Sequence, residues 1–244
     1  MFADNRWEPA PAEDEELERA FVDAVAECPY GKATPAVYHQ ACLGRIDDRI
    51  MAHLLARGYR RNGNTMYAMR CPLCRLCVPI RLRTDRFRAN RNQRRVWKKN
   101  QDVTVDVAPL TVSREKLDLL QRFLTTRFPG GDSDAESYYA SFFITAITQC
   151  LEIRYRVDGQ LFAVSIIDVA PSWLNAVYFF FDPLFSRRSP GTLNILTLHR
   201  LCVAHDVPLL YLGYWIPGHR GMDYKQVFRP HEVLVDGIWQ ERGG

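Results

Sequence analysis

No apolar run in the sequence is long enough to cross a bilayer, and its first residues are acidic where a secretory leader is basic and then apolar. The chain is therefore expected to be soluble and cytoplasmic, with no membrane partner. It has no Gly-x-Ser-x-Gly elbow and no His-Glu-x-x-His helix, so hydrolase and metalloprotease chemistry lack their minimum residues. Gly31-Lys32 resembles the end of a nucleotide-binding loop, but Ala26 stands where that loop needs glycine and Ala33 where it needs a hydroxyl. There is no internal repeat and no low-complexity tract. Seven cysteines, an odd number with three tightly clustered, suit a reducing compartment better than a disulfide framework. The six histidines are scattered, and His199 on an apolar stretch reads as a core residue.

The 244 residues include 47% hydrophobic ones, enough for one large core or two modest ones. The formal net charge is only +4, but charge is segregated along the chain. Nine acidic residues fall between Met1 and Glu27, and nine cations between Arg81 and Lys99. That basic block is interleaved with Phe87, Trp97, Asn90, Asn92 and Gln93. It reads either as a solvated face or as a binding surface for nucleic-acid phosphates, and the interleaving favours the second.

Periodicity predicts helices over residues 13–27 and 46–57, the second stopped by Gly58. Asn62-Gly63 marks a hairpin, Val78, Ile80 and Leu82 a half-buried strand, residues 91–100 a helix and Val103 to Val107 another strand. A boundary is placed near Pro109, giving a smaller cysteine-containing domain (1–109) and a second domain (110–244). The second begins with a helix over 113–128, and Ser133 with Glu136 predicts a capping box. Strands 151–157 and 161–169 flank the hairpin signal Asp158-Gly159. Strand 174–181, a helix over 191–205 and strand 209–214 follow. Three antiparallel strands, a helix and a further strand give the element order of an acetyltransferase-like (GNAT-type) α/β (α+β) fold with a mixed sheet.

Two motifs carry chemistry. Cys71, Cys74 and Cys77 sit at two-residue spacing and can chelate zinc or an iron–sulfur cluster if a fourth thiol folds back. Cys28 or Cys42 can supply it, and Cys28 beside Pro29 is preferred; the other reading is a set of reduced structural thiols. Arg187 and Arg188, before Pro190-Gly191 at a predicted helix start, make an anion site like the one that holds the coenzyme A pyrophosphate in acetyltransferase folds; the other reading is an ordinary N-terminal turn.

"FFDP" (180–183), Gly191-Thr192, "YLGYWIPG" (211–218) and "MDYKQVFRP" (222–230) closely resemble the arginyl-tRNA–protein transferase family. "CPLCRLCVPIRL" and "FRANRNQRRV" resemble its short bacterial form, the aspartate/glutamate leucyltransferases. The family usually has cysteine in place of His219 and often lysine in place of Gly221. The resemblance implies transfer of leucine, or arginine, from charged tRNA to the α-amine of proteins beginning with Asp or Glu, which marks them for degradation. It implies no cofactor for the transfer itself, and it links the cysteine region, Cys28, Cys71, Cys74 and Cys77, to zinc or an iron–sulfur cluster. On this basis Lys225 and Arg229 are expected to hold the acceptor carboxylate, with Tyr211, Tyr214 and Tyr224 shaping the pocket. Tyr211 and Asp182 are the catalytic candidates, Asp182 orienting or deprotonating the amine. Arg88, Arg91, Arg94, Arg95, Lys98 and Lys99 are expected to carry tRNA backbone, with Arg187 and Arg188 near its acceptor end. The rival functions are a coenzyme A-dependent N-acetyltransferase and a non-catalytic, metal-containing RNA-binding protein.

Overall fold

The computed structural model describes residues 11–129, 131 and 134–243. The chain runs through α1 (Pro11–Arg19), β1 (Val22–Ala26), β2 (Ala36–Cys42), α2 (Asp48–Ala56), β3 (Arg60–Asn62), β4 (Thr65–Met69), β5 (Val78–Arg83), α3 (Arg91–Lys99) and β6 (Thr104–Pro109). It continues with α4 (Arg114–Arg127), α5 (Ala135–Phe142), β7 (Cys150–Val157), β8 (Gln160–Ala170), β9 (Trp173–Phe181), α6 (Pro190–Ala204), β10 (Leu209–Trp215), β11 (His231–Val235) and β12 (Ile238–Arg242). Short 3-10 turns at Pro183–Arg188 and Asp223–Val227 follow β9 and β10.

Two sheets result. The smaller is antiparallel in the order β1-β2-β4-β3, and the larger has the order β12-β11-β5-β10-β9-β8-β7-β6, with β9 and β10 its one parallel pair among the described residues. This is a mixed α/β sheet of the acetyltransferase-like kind, with α6 as the crossover that a parallel pair requires.

The hairpins form where turn chemistry demands them. Asp158 and Gly159 both take positive φ, 50° and 78°, as a two-residue turn between twisted strands needs. At the other hairpin Asn62 pairs with Thr65 across Gly63. The helices begin at caps: Ser113 for α4, and for α3 an Asn90–Gln93 capping box. The Ser133 half of the expected capping box lies outside the described residues; α5 is capped by Asp134, which accepts from the Ser137 amide at 2.9 Å.

One expectation is corrected. The helix expected over 13–27 stops at Arg19, and Val22–Ala26 pairs with β2 instead. Phe21 between them is buried against His39 and Tyr59, with ring centroids 5.4 and 4.8 Å away, so docking on an available strand edge overrides the helical spacing. The boundary at Pro109 does not divide the large sheet. β5 lies inside that sheet between β11 and β10, and β6, which ends at Pro109, pairs with β7.

The feature that positions the site is a splay. β10 pairs with β9 only over Leu209–Tyr211 against Trp173–Asn175, after which the strands part. Here β10 is irregular against β5 between Tyr211 and Tyr214, and Gly213 takes φ +83°. Arg60 of β3 fills the opening, donating to the Asn175 side chain at 3.1 Å and the Ala176 carbonyl at 2.7 Å. Beside it, Arg61 clamps Asp168 at 2.9 and 2.8 Å, and Asn175 donates to the same carboxylate at 3.0 Å. Arg61 and Asp168 are fully buried, so each charge depends on the other.

A Cβ at Gly213 would stand 2.6 Å from the Arg60 guanidinium carbon, and the backbone there is left-handed. Gly213→Ala is therefore expected to lower stability by about 2 kcal/mol or more in urea denaturation. An unchanged midpoint would contradict the packing of Arg60 on Gly213.

Candidate active-site cleft

The surroundings of the splay are built from tyrosines and cations. Tyr178 on β9 accepts from the Tyr138 hydroxyl of α5 at 3.0 Å, and Tyr67 on β4 stands 5.6 Å from Tyr38 and 6.4 Å from Tyr214 between ring centroids. Burial raises the phenols of Tyr67, Tyr138, Tyr178 and Tyr214, and pushes Tyr38 and Tyr224 up to about 12. These groups remain neutral near pH 7, serving as hydrogen-bond donors and acceptors that add no negative charge.

The cations are Arg60, Lys225 and Arg127. Arg60 and Lys225 are nine-tenths buried, and none of the three pairs with a carboxylate among the described residues. A buried cation without a counter-ion either sheds its proton or, as an arginine must, keeps its charge available to an anion.

Lys225 does not reach outward as the sequence reading expects. Its ammonium turns back onto β10 and donates to the carbonyls of Leu212 and Tyr214, both at 2.8 Å, bridging Gly213. Burial, with the Arg60 charge adding to it, lowers its pKa to about 7. Arg229 is separate from Lys225: it is exposed, donates to the Gln226 carbonyl at 3.3 Å and packs over Gly243, so the expected cation pair does not form. Tyr224 is in the cleft, its ring seated on Gly191 at the start of α6. Tyr214 is a support, donating to the Gly58 carbonyl and accepting from the Met69 amide, both at 3.3 Å. Tyr211 is buried, its hydroxyl accepting from Arg81 at 3.1 Å, with Trp239 against its ring.

Asp182 is buried, and both its oxygens are committed: Oδ1 caps the 3-10 turn through the Leu184 amide, and Oδ2 accepts from Arg122, each at 3.0 Å. Those contacts make it the cap of the turn, with one donor on each oxygen and its charge paired with Arg122. Arg60, Arg127 and Tyr178 were not singled out from the sequence. They come from β3, α4 and β9, and no local pattern links them.

The basic block sorts itself by pairing. Arg81, Arg83 and Arg86 meet Glu232, Asp85 and Glu241. Arg88, Arg91, Arg94, Arg95, Lys98 and Lys99 are exposed and form no ion pair among the described residues. Their helix α3 is tied to the cleft by Gln93, which donates to the Val227 carbonyl at 3.1 Å, and by Lys99, which donates to the Arg187 carbonyl at 2.7 Å. Arg187 extends this face, and Arg200, stacked on Trp97 at 4.4 Å, joins it. Arg188 does not: Asp102 holds its guanidinium at 2.9 and 2.7 Å. The α6 N-terminus, with Ser189 in a left-handed conformation and no side-chain cap, lies between this face and Tyr224.

Cys28, Cys71, Cys74 and Cys77 line one cavity of about 590 Å³. All are free thiols, and Cys77 is pushed up to about 12 by burial and by the neighbouring Cys71, Cys28 and Cys74. As donors they suit a thiophilic metal, although no three His, Cys, Asp or Glu among the described residues are gathered where they could hold one ion. Cys42 is exposed and does not line this cavity. Among the described residues no helix is long and apolar enough to cross a membrane.

The sheet is of the acetyltransferase type, and the cations at its opening are the site's distinguishing feature. The sequence matches the family models for the arginine-tRNA-protein transferase N terminus over residues 26–95 and C terminus over residues 115–235, and the chain belongs to that family. It is 36% identical over 197 residues to an aspartate/glutamate leucyltransferase of Methylobacillus flagellatus, covering 80% of this chain and 79% of that one. Its identity to the enzyme of that name from Nitrosococcus oceani is 40% over 190 residues, covering 76% and 79%. The C-terminal domain of a putative lysylphosphatidylglycerol synthetase from Agrobacterium fabrum shares the fold, with a TM-score of 0.50 at 13% identity, over 83% of this chain and 66% of that one.

Lys225 titrates near 7 in the folded chain against 10.5 for an unperturbed lysine. Between those values the unfolded chain holds the extra proton, so this group makes stability rise with pH, and below about 7 its burial carries the full cost. Wild type is therefore expected to gain on the order of 4 kcal/mol over Lys225→Met between pH 6.5 and 10.5. Parallel stability curves for the two proteins would contradict the assignment.

Proposed function

We propose that this chain transfers leucine from leucyl-tRNA to the α-amine of proteins that begin with Asp or Glu, marking them for degradation in the cytoplasm. The observation that carries the reading is the unbalanced positive charge of the cleft in a chain of this family, next to a basic helix anchored to it. The relatives' name supplies leucine as the donor. The acceptor amine attacks the ester carbonyl; a C–N bond forms, the bond to the ribose oxygen breaks, and the proton lost by the amine leaves with that oxygen as the terminal hydroxyl. The donor is already activated and the amine titrates near neutrality, so alignment supplies most of the rate.

In this reading Lys225 fixes the backbone around Gly213, and Arg60 and Lys225 set the positive potential that draws in an acidic first residue. Tyr178 accepts from Tyr138, which leaves its own proton available for a substrate oxygen. The exposed cations of α3, with Arg187 and Arg200, hold tRNA phosphates and lead its acceptor end past the α6 N-terminus to Tyr224. A coenzyme A-dependent acetyltransferase is disfavoured, because the arginine it needs for pyrophosphate, Arg188, is held by Asp102. Cys28, Cys71, Cys74 and Cys77 are the residues that would hold zinc or an iron–sulfur cluster, as a structural clasp on the loop that precedes β5.

Labelled leucine is expected to pass from leucyl-tRNA to peptides beginning with Asp or Glu and not to those beginning with Ala or Lys. No transfer to any acidic peptide would refute the reading. Arg91→Glu with Arg95→Glu is expected to raise KM for leucyl-tRNA at least about tenfold and to flatten its salt dependence. Equal salt slopes in the variant and wild type would place the tRNA elsewhere. Metal analysis of protein purified without oxygen is expected to find zinc or iron, lost in Cys71→Ser; metal-free protein with full activity would remove the clasp.

A further inference from the structure

Arg127 is the last residue of α4 and ends beside the turn that follows β10. Its side chain is exposed and forms no hydrogen bond or ion pair among the described residues. It nevertheless stands near His219, Tyr178 and Tyr224: burial lowers the pKa of His219 and the Arg127 charge adds to it, and the same charge opposes the burial-driven rise of the two tyrosines. Room for it comes from Gly221, where a Cβ would fall on the Arg127 guanidinium. Gly221 is not in the left-handed region, so its backbone tolerates other residues, and a side chain there would push the Arg127 guanidinium out of its present place.

The other two cleft cations are committed. Lys225 donates to two backbone carbonyls, and Arg60 donates to Asn175 and Ala176. Asp223, the carboxylate on the same turn, is occupied on one oxygen by Trp215, Gly218 and Gln226 at 3.1, 3.4 and 2.7 Å. His219 accepts from the Gly221 amide at 3.3 Å and packs on Tyr30, which pins the loop under the guanidinium. Arg127 therefore keeps a whole planar fork of N–H donors free at the mouth of a cationic cleft. A fork of that shape matches a carboxylate in a bidentate pair.

We propose that Arg127, lying over Gly221, pairs with the side-chain carboxylate of the acceptor's first residue and so sets the preference for Asp and Glu. This rests on the transfer reaction proposed above and names the group that selects its acceptor.

The test is steady-state transfer of leucine to peptides identical except for a first residue of Asp, Glu, Asn or Ala. In Arg127→Ala, KM for the Asp and Glu peptides is expected to rise at least about tenfold, the Asp-over-Asn preference to collapse, and KM for leucyl-tRNA to stay as in wild type. Arg127→Lys is expected to restore part of the preference. Gly221→Ala, which displaces the guanidinium without removing it, is expected to weaken acidic peptides in the same direction. An active wild type whose Asp-over-Asn preference survives Arg127→Ala would overturn the inference alone. A rise confined to KM for leucyl-tRNA would also overturn it, assigning Arg127 to phosphate. A wild type that modifies no acidic peptide would overturn the transfer reading, and the inference with it.

Discussion

The guanidinium of Arg60, wedged between β9 and β10 over Gly213, is the contact on which the site depends. Without it the strands have no reason to stay apart past Tyr211, because unpaired backbone donors and acceptors inside a sheet otherwise seek each other. Arg60 satisfies Ala176 on one strand and lies against the bare backbone of the other, while Lys225 closes the β10 carbonyls on either side of the same glycine. The wedge arrives from the smaller sheet, so the two sheets and the opening between their strands are held by one polar network. Its continuation through Asn175, Asp168 and Arg61 is fully buried. Such a network is rigid when every member is satisfied and unforgiving when one is removed.

Charge pairing then divides the cations by task. Those that brace the fold have carboxylates: Arg61 with Asp168, Arg81 with Glu232, Lys116 with Glu152, Arg188 with Asp102. Those that line α3 and the cleft do not. The net charge of +4 is small because the braced set is neutralised internally, and the excess is concentrated on two adjoining surfaces. A long polyanion on one and a single carboxylate in the other is the substrate pair that such a distribution complements.

Much of this was legible before the structure. The hairpins at Asn62-Gly63 and Asp158-Gly159, the helix behind Ser113, the basic helix and the order of strands in the second half follow from turn chemistry and periodicity. Of the eight cations expected to carry tRNA, Arg188 is paired with Asp102, and the six from Arg88 to Lys99 are exposed without a carboxylate partner among the described residues. Residues 211–230 were legible as a strand and a following turn, but not in their contacts. Lys225 is close in sequence to Arg229, yet a 3-10 turn sends one inward and the other to the surface. Arg60 and Arg127 were invisible because their meaning lies in glycines about 150 and 94 positions away, a relation no window of sequence contains. Asp182 looked reactive because it follows an apolar strand, a place where a cap is equally at home. The helix expected to reach residue 27 stops short because a strand edge elsewhere in the chain captured a segment whose local signal favoured helix.

The central claim is that acyl transfer takes place where β9 and β10 part. A crystal structure with an amide analogue of leucyl-adenosine, in which nitrogen replaces the ester oxygen, tests it directly. The account predicts the leucyl carbonyl at the edge of the opening that Arg60 fills, against Tyr178 and Tyr224, with the adenosine toward the start of α6. An analogue bound outside the splay, with Arg60 and Lys225 untouched and the cleft filled by water alone, would contradict it.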